Sequence, residues 1–168
     1  DAFATNREPF DALDVAFKRA NGWEAMIDGG EIAQVQCAAL RFLRQQQAQF
    51  HAGSLRLEIA KTGVRWGENL DGSLQTAAQN AALFVVDGEG KIQDASRRLV
   101  ADGERRAFAL QFSPEAVPRP QRLLLIAVAG SKRIQALHPE RPTPAVDAFA
   151  AALRELQGQT GLLAVGAK

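Results

Sequence analysis

The sequence predicts an α+β fold: an N-terminal helix–strand–helix unit, an antiparallel β-sandwich of about six or seven strands, and a C-terminal helix. Three observations carry this prediction. Apolar residues recur at helical spacing near both ends of the chain, and they recur every second residue between positions 54 and 137. Glycine and proline turn signals separate the alternating segments. With 168 residues, of which 46% are hydrophobic and 23% charged, the chain has material for a packed core. That excludes disordered and collagen-like classes.

Pro9 to Arg19 reads as the first helix. Phe10, Leu13, Ala16 and Phe17 share a face, Pro9 suits the first turn, and Asn21-Gly22 is a stop. Trp23 to Ile27 alternates apolar and polar side chains as a half-buried strand does, and Asp28-Gly29-Gly30 reads as a turn. Gln34 to Gln46 is a second helix with Val35, Ala38, Ala39, Phe42 and Leu43 on one side. Residues 1–50 thus form a unit too small for a core of its own, which has to pack on the rest of the chain.

From Ser54 the period becomes two. Leu55, Leu57 and Ile59 alternate with Arg56, Glu58 and Ala60, and Val64 and Trp66 continue the pattern after a Thr62-Gly63 break. Glu68 to Thr76 carries Leu70 and Leu74 and is interrupted by Asp71-Gly72. Ala81 to Val86, the turn Asp87-Gly88-Glu89-Gly90 and Lys91-Ile92-Gln93 make the clearest hairpin. Arg106 to Phe112 alternates again. Gln121 to Ala129, flanked by Pro118, Pro120 and Gly130, has the profile of a central strand buried on both faces. The sandwich so defined spans 54–137. His138 to Pro144, rich in proline, is a stiff connector. The last helix, 144–157, begins at Pro144, presents Val146, Phe149, Leu153 and Leu156 as a stripe, and stops at Gly158. It should lie across the sandwich or against the N-terminal unit.

Charge and cysteine usage narrow the function classes. Twenty Lys and Arg against nineteen Asp and Glu leave a formal charge of +1, so no net field draws the chain to nucleic acid or anionic lipid. No apolar run reaches the roughly 18 residues of a membrane span. The single cysteine, Cys37, allows no internal disulfide. His51 and His138 stand at no metal-ligand spacing, so neither a metal nor another cofactor is expected. The chain begins without Met in a polar lead-in lacking the apolar core of a signal peptide, and reads as an excised piece of something longer.

Each chemistry-bearing motif has a structural reading. Asp87-Gly88-Glu89-Gly90-Lys91 is followed by a strand pattern, whereas a phosphate cradle opens onto a helix N-terminus. Ser131 and Lys132 are adjacent, and on a strand they point apart, which defeats a Ser/Lys pair. Cys37 lies on the apolar side of a short helix, where a thiol behaves as a small hydrophobe. Asp11 and Asp14 suit the first turn of their helix. No catalytic residue is assigned. Arg97, Arg98, Arg105 and Arg106, which flank the turn Ala101-Asp102-Gly103-Glu104, are the candidate ligand- or partner-binding residues, placed at one end of the sandwich to receive an anionic group.

Two stretches carry a resemblance. The first is Glu8-Pro9-Phe10-Asp11-Ala12-Leu13-Asp14-Val15-Ala16-Phe17-Lys18 with Gly22-Trp23-Glu24-Ala25 and Gln36-Cys37-Ala38-Ala39-Leu40. The second joins Leu70-Asp71-Gly72, Leu83-Phe84-Val85-Val86-Asp87-Gly88-Glu89-Gly90 and the run Gln121 to Ala129. The pattern resembles a C-terminal, sensor-like domain appended to eukaryotic-like serine/threonine kinases of alphaproteobacteria. The second stretch is also distantly similar to β-sandwich domains of unassigned function on bacterial kinases and caspase-like proteins. The resemblance implies a membrane helix between a cytoplasmic kinase and an outer region, and a second cysteine upstream of Cys37 that this sequence lacks. The glycine-rich ATP loop, His-Arg-Asp and Asp-Phe-Gly of a kinase are also absent from the sequence.

The expectation is therefore a non-catalytic sensor or protein-interaction module of a bacterial signalling kinase, on the periplasmic side. Its partner would be an envelope protein or a small ligand. One alternative is a small enzyme whose site assembles in the fold around Cys37 and a histidine. Another is a structural or dimerisation module of a larger envelope protein, working as a homodimer. A cytoplasmic location is the alternative to the periplasm.

Overall fold

A computed structural model of the chain describes residues 2–24, 29–47, 55–103, 105–113, 121–157 and 163–167. His51, Glu104, Pro118, Pro120, Gly158 and most of the expected Trp23–Ile27 strand lie outside the described residues. The fold is α+β, with helices near both ends and antiparallel sheets between them. Strand β1 (Ala2–Ala4) leads through helix α1 (Glu8–Asn21) to β2 (Gly29–Glu31), which pairs with β1 in parallel. A 3-10 turn at Gln34–Gln36 runs into α2 (Cys37–Gln47). Next come β3 (Arg56–Ile59), β4 (Asn69–Gln75), β5 (Asn80–Val86), β6 (Lys91–Asp94), a 3-10 turn at Ser96–Arg98, β7 (Val100–Asp102) and β8 (Arg105–Gln111). The chain continues as β9 (Leu124–Gly130), a 3-10 turn at Gln135–Leu137, β10 (Thr143–Pro144), α3 (Ala145–Gln157) and β11 (Leu163–Ala167).

Three layers result. A five-stranded sheet, ordered β10-β6-β5-β9-β11, lies between helices and a four-stranded sheet ordered β3-β4-β8-β7. The alternation of strand side chains builds both interfaces. Ala82, Phe84 and Val86 of β5, with Leu124, Ile126 and Val128 of β9, pack with Ala39, Phe42 and Leu43 of α2 and Ala145, Ala148, Phe149 and Ala152 of α3. The intervening Leu83, Val85, Leu125 and Ala127 meet Leu57, Leu70, Leu74, Phe108 and Leu110 of the other sheet. Every residue of β9 is therefore buried, as its continuous apolar run predicts. The Phe42 and Phe149 rings lie 4.9 Å apart and join α2 to α3.

Six expected strands are present, and β7, β10 and β11 extend the two sheets. The 87–90 turn closes as its residues predict: Asp87 Oδ1 accepts hydrogen bonds from the Glu89 and Lys91 amides, and Gly90 takes φ +79°. Five local expectations are corrected. Gly29-Gly30 is strand, because β1 offers a pairing edge that the polar lead-in does not announce. Val64 to Trp66 is not strand; it belongs to the loop that returns β3 to β4. Asp71-Gly72 does not interrupt β4, because Gly72 sits where the Phe108 ring and the Glu58 carbonyl leave no room for a Cβ. Val35 is 51% exposed and Gln36 is wholly buried, since the first turn of that helix is 3-10 and rotates the face. Val146 is exposed, while Ala145, Ala148 and Ala152 let α3 approach the sheet closely.

Helix α1 contributes no buried residue to either core. Pro9 lies in its first turn, and its end is made by Gly22, whose φ of +80° suits glycine and whose amide donates to the Lys18 carbonyl. Phe17 meets Trp23 edge-on at 4.8 Å. No helix among the described residues is long and apolar enough to cross a membrane.

Candidate functional site

A cleft of about 1560 Å3 runs along β3. One wall is β3 with the 60–66 loop; the other comprises Phe3 of β1, Gly30 to Ile32, and the segment 121–125 that leads into β9. Two polar anchors hold the second wall. Buried Gln36 donates through Nε2 to the carbonyls of Val86 (3.0 Å), Asp87 (3.2 Å) and Arg122 (3.0 Å), while its Oε1 accepts from the Ala33 amide (2.9 Å). Arg122 reaches back to the Glu31 carbonyl (3.1 Å) and carboxylate (3.0 Å). Together they tie the N-terminal unit to the sandwich beside the cleft.

The lining is mixed. Ile59, Val64, Trp66, Phe112 and Leu123 supply apolar surface, and Trp66 remains 46% exposed. Five cations, Arg56, Lys61, Arg65, Arg105 and Arg122, face three carboxylates, Glu31, Glu58 and Asp71, among the described lining residues. Three of the cations are already paired: Arg56 with Glu58 (2.8 Å), Lys61 with Glu68 (2.8 Å) and Arg122 with Glu31 (3.0 Å). Arg65 and Arg105 have no ion-pair partner among the described residues. Such a surface can seat an apolar segment and bind carboxylates at separate points.

The four candidate arginines do not share one face. Arg105 and Arg106 are consecutive on β8 and so point to opposite sides of the sheet. Arg105 is exposed and lines the cleft. Arg106 turns inward and donates to the carbonyls of Ala78 (3.3 Å) and Gln79 (3.1 Å), clamping the loop between β4 and β5. Arg97 and Arg98 are exposed on the 3-10 turn that leads into β7, the opposite edge strand of that sheet. Arg65 and Trp66 are site residues to which the sequence gives almost no lead. Their one signal is an aromatic and a cation together in a glycine-bounded loop, Gly63 to Gly67.

The reactive side chains serve the fold. Cys37 is half-buried at the start of α2. His138 is bonded instead to Asp94, Nδ1 donating to Oδ2 at 2.6 Å. A carboxylate on Nδ1 is how a general-base imidazole is oriented, but the neighbouring hydroxyl here serves another purpose. Ser96 bonds Asp94 and the Leu83 backbone, and His138, its side chain 8% exposed, lies edge-on to Phe84. Burial pushes the Asp94 carboxyl up, yet hydrogen bonds from Ser96 and His138 outweigh it and hold the group below the ordinary aspartate value. This cluster fastens the Gln135–Leu137 turn to β6. Ser131 and Lys132 are exposed in the bend after β9. No cluster of three or more His, Cys, Asp or Glu able to hold a metal occurs among the described residues.

Comparison with protein-family models, with curated proteins and with solved structures returns no significant match.

Proposed function

We propose that the chain is a non-catalytic binding module of a bacterial signalling protein, of the sensor or interaction type appended to serine/threonine kinases on the periplasmic side. The observation that carries the binding reading is the cleft along β3. It combines exposed Trp66 with two arginines that have no ion-pair partner among the described residues, the mixture that recognition sites use. The kinase association and the periplasmic placement rest on the resemblance of the sequence alone.

Backbone amide chemical-shift mapping tests the binding reading, using a fragment library and a displayed library of random 12-residue peptides as separate probes. Ligands from either set should shift amides of 57–66 and 121–125 together. Silence in both sets, or shifts confined to other surfaces, would contradict the proposal. Alkaline phosphatase fused to the parent chain next to this segment should be active in intact cells, and an inactive fusion would place the module in the cytoplasm.

A further inference from the structure

We infer, on the binding-module reading above, that the cleft takes an extended, carboxylate-bearing segment of a partner protein as an added strand on the open edge of β3. Strand β3 ends its sheet and is hydrogen-bonded only to β4 among the described residues. The Ala60 amide donates to the Asp71 carbonyl at 2.9 Å, which sets the phase of the ladder. Antiparallel pairs alternate, so Arg56, Glu58 and Ala60 turn their backbone groups to β4. Leu57 and Ile59 turn theirs outward, where no described residue bonds them. An unpaired edge with an apolar groove beside it is the template on which extended peptides add as strands.

Charge selects the occupant. Arg105 lies on β8, two strands in from β3 in the cross-strand row Arg56–Gln75–Arg105, with Asp102 of β7 opposite it. Arg65 stands in the loop beyond the Ile59 end of β3. Both guanidinium groups lack carboxylate partners among the described residues, while the other lining cations have them. Neighbouring strands lie about 4.8 Å apart. An acidic side chain at the Ile59 end of an added strand would therefore reach Arg65, whereas Arg105, roughly 14 Å away across β3 and β4, is not a direct contact. Alternate side chains of the peptide would fall on Ile59, Val64 and Leu123.

The test uses peptides selected from the 12-residue library against the whole chain. Selected peptides should be enriched in Asp and Glu. The variant Arg65→Gln, with thermal midpoint unchanged, should bind them at least tenfold more weakly, and Arg105→Gln should change binding little. Backbone N-methylation should weaken binding tenfold or more at alternate peptide positions and little at the positions between. Peptides that occupy the cleft but tolerate Arg65→Gln, or tolerate N-methylation everywhere, would overturn the inference and leave the binding module standing. Fragments in the cleft without any peptide would do the same. Absence of both probes from the cleft would remove the inference together with the proposed function.

Discussion

Gln36 is the side chain on which the cleft's second wall depends most. It is fully buried, and its amide joins the Ala33 amide to three carbonyls on two other segments. A buried carbonyl or amide left without its partner costs about 1–3 kcal/mol. Gln36→Leu should therefore lower the unfolding free energy in urea by about 3 kcal/mol, and a loss under 0.5 kcal/mol, on the order of a surface substitution, would contradict the assignment. Asp94 makes a pH-dependent contribution. Its folded value lies below the ordinary 3.8, so its stabilisation is complete above that range and is lost as pH falls through the folded value. Asp94→Asn should cost about 1 kcal/mol at neutral pH and flatten the fall in stability between pH 5 and 2, roughly one hydrogen bond's contribution. Acid limbs of equal slope in both proteins would show that the carboxylate is not held by Ser96 and His138.

Among the elements, β4 shows how a local signal is overruled by packing. Asp71-Gly72 has the chemistry of a turn, yet Gly72 continues the strand because only a residue without Cβ fits between Phe108 and the Glu58 carbonyl. Gly72→Ala should thus destabilise by about 3 kcal/mol, the upper range of overpacking, rather than stabilise slightly as glycine replacement does in open space. A neutral result by thermal melting would mean that β3 and β4 can part there. The long strands, the 87–90 hairpin and all three helices are legible in the sequence because their apolar periods are long enough to exceed local noise. Strands β1, β2, β7 and β10 have two or three residues each and carry no period at all. The burial of Gln36 is illegible for another reason: a polar residue reads as exposed until its distant partners are known. Val146 misleads about α3 because Ala145, Ala148, Phe149 and Ala152 define the face that meets the sheet.

For the molecule as a whole, the candidate site is a product of topology. Of the four arginines that stand out in the sequence, only Arg105 lines the cleft, and its counterpart Arg65 lies forty residues away in a loop. Spacing along the chain does not reveal that β3 ends a sheet, nor that β1, β2 and the lead into β9 face it. The central claim is that this edge is free to accept a strand, and native-state hydrogen exchange tests it directly without any ligand. The amides of Glu58 and Ala60, bonded to β4, should exchange slowly, and those of Leu57 and Ile59 at least tenfold faster. Equal protection along 57–60 would show that the edge is already covered, and would contradict the account.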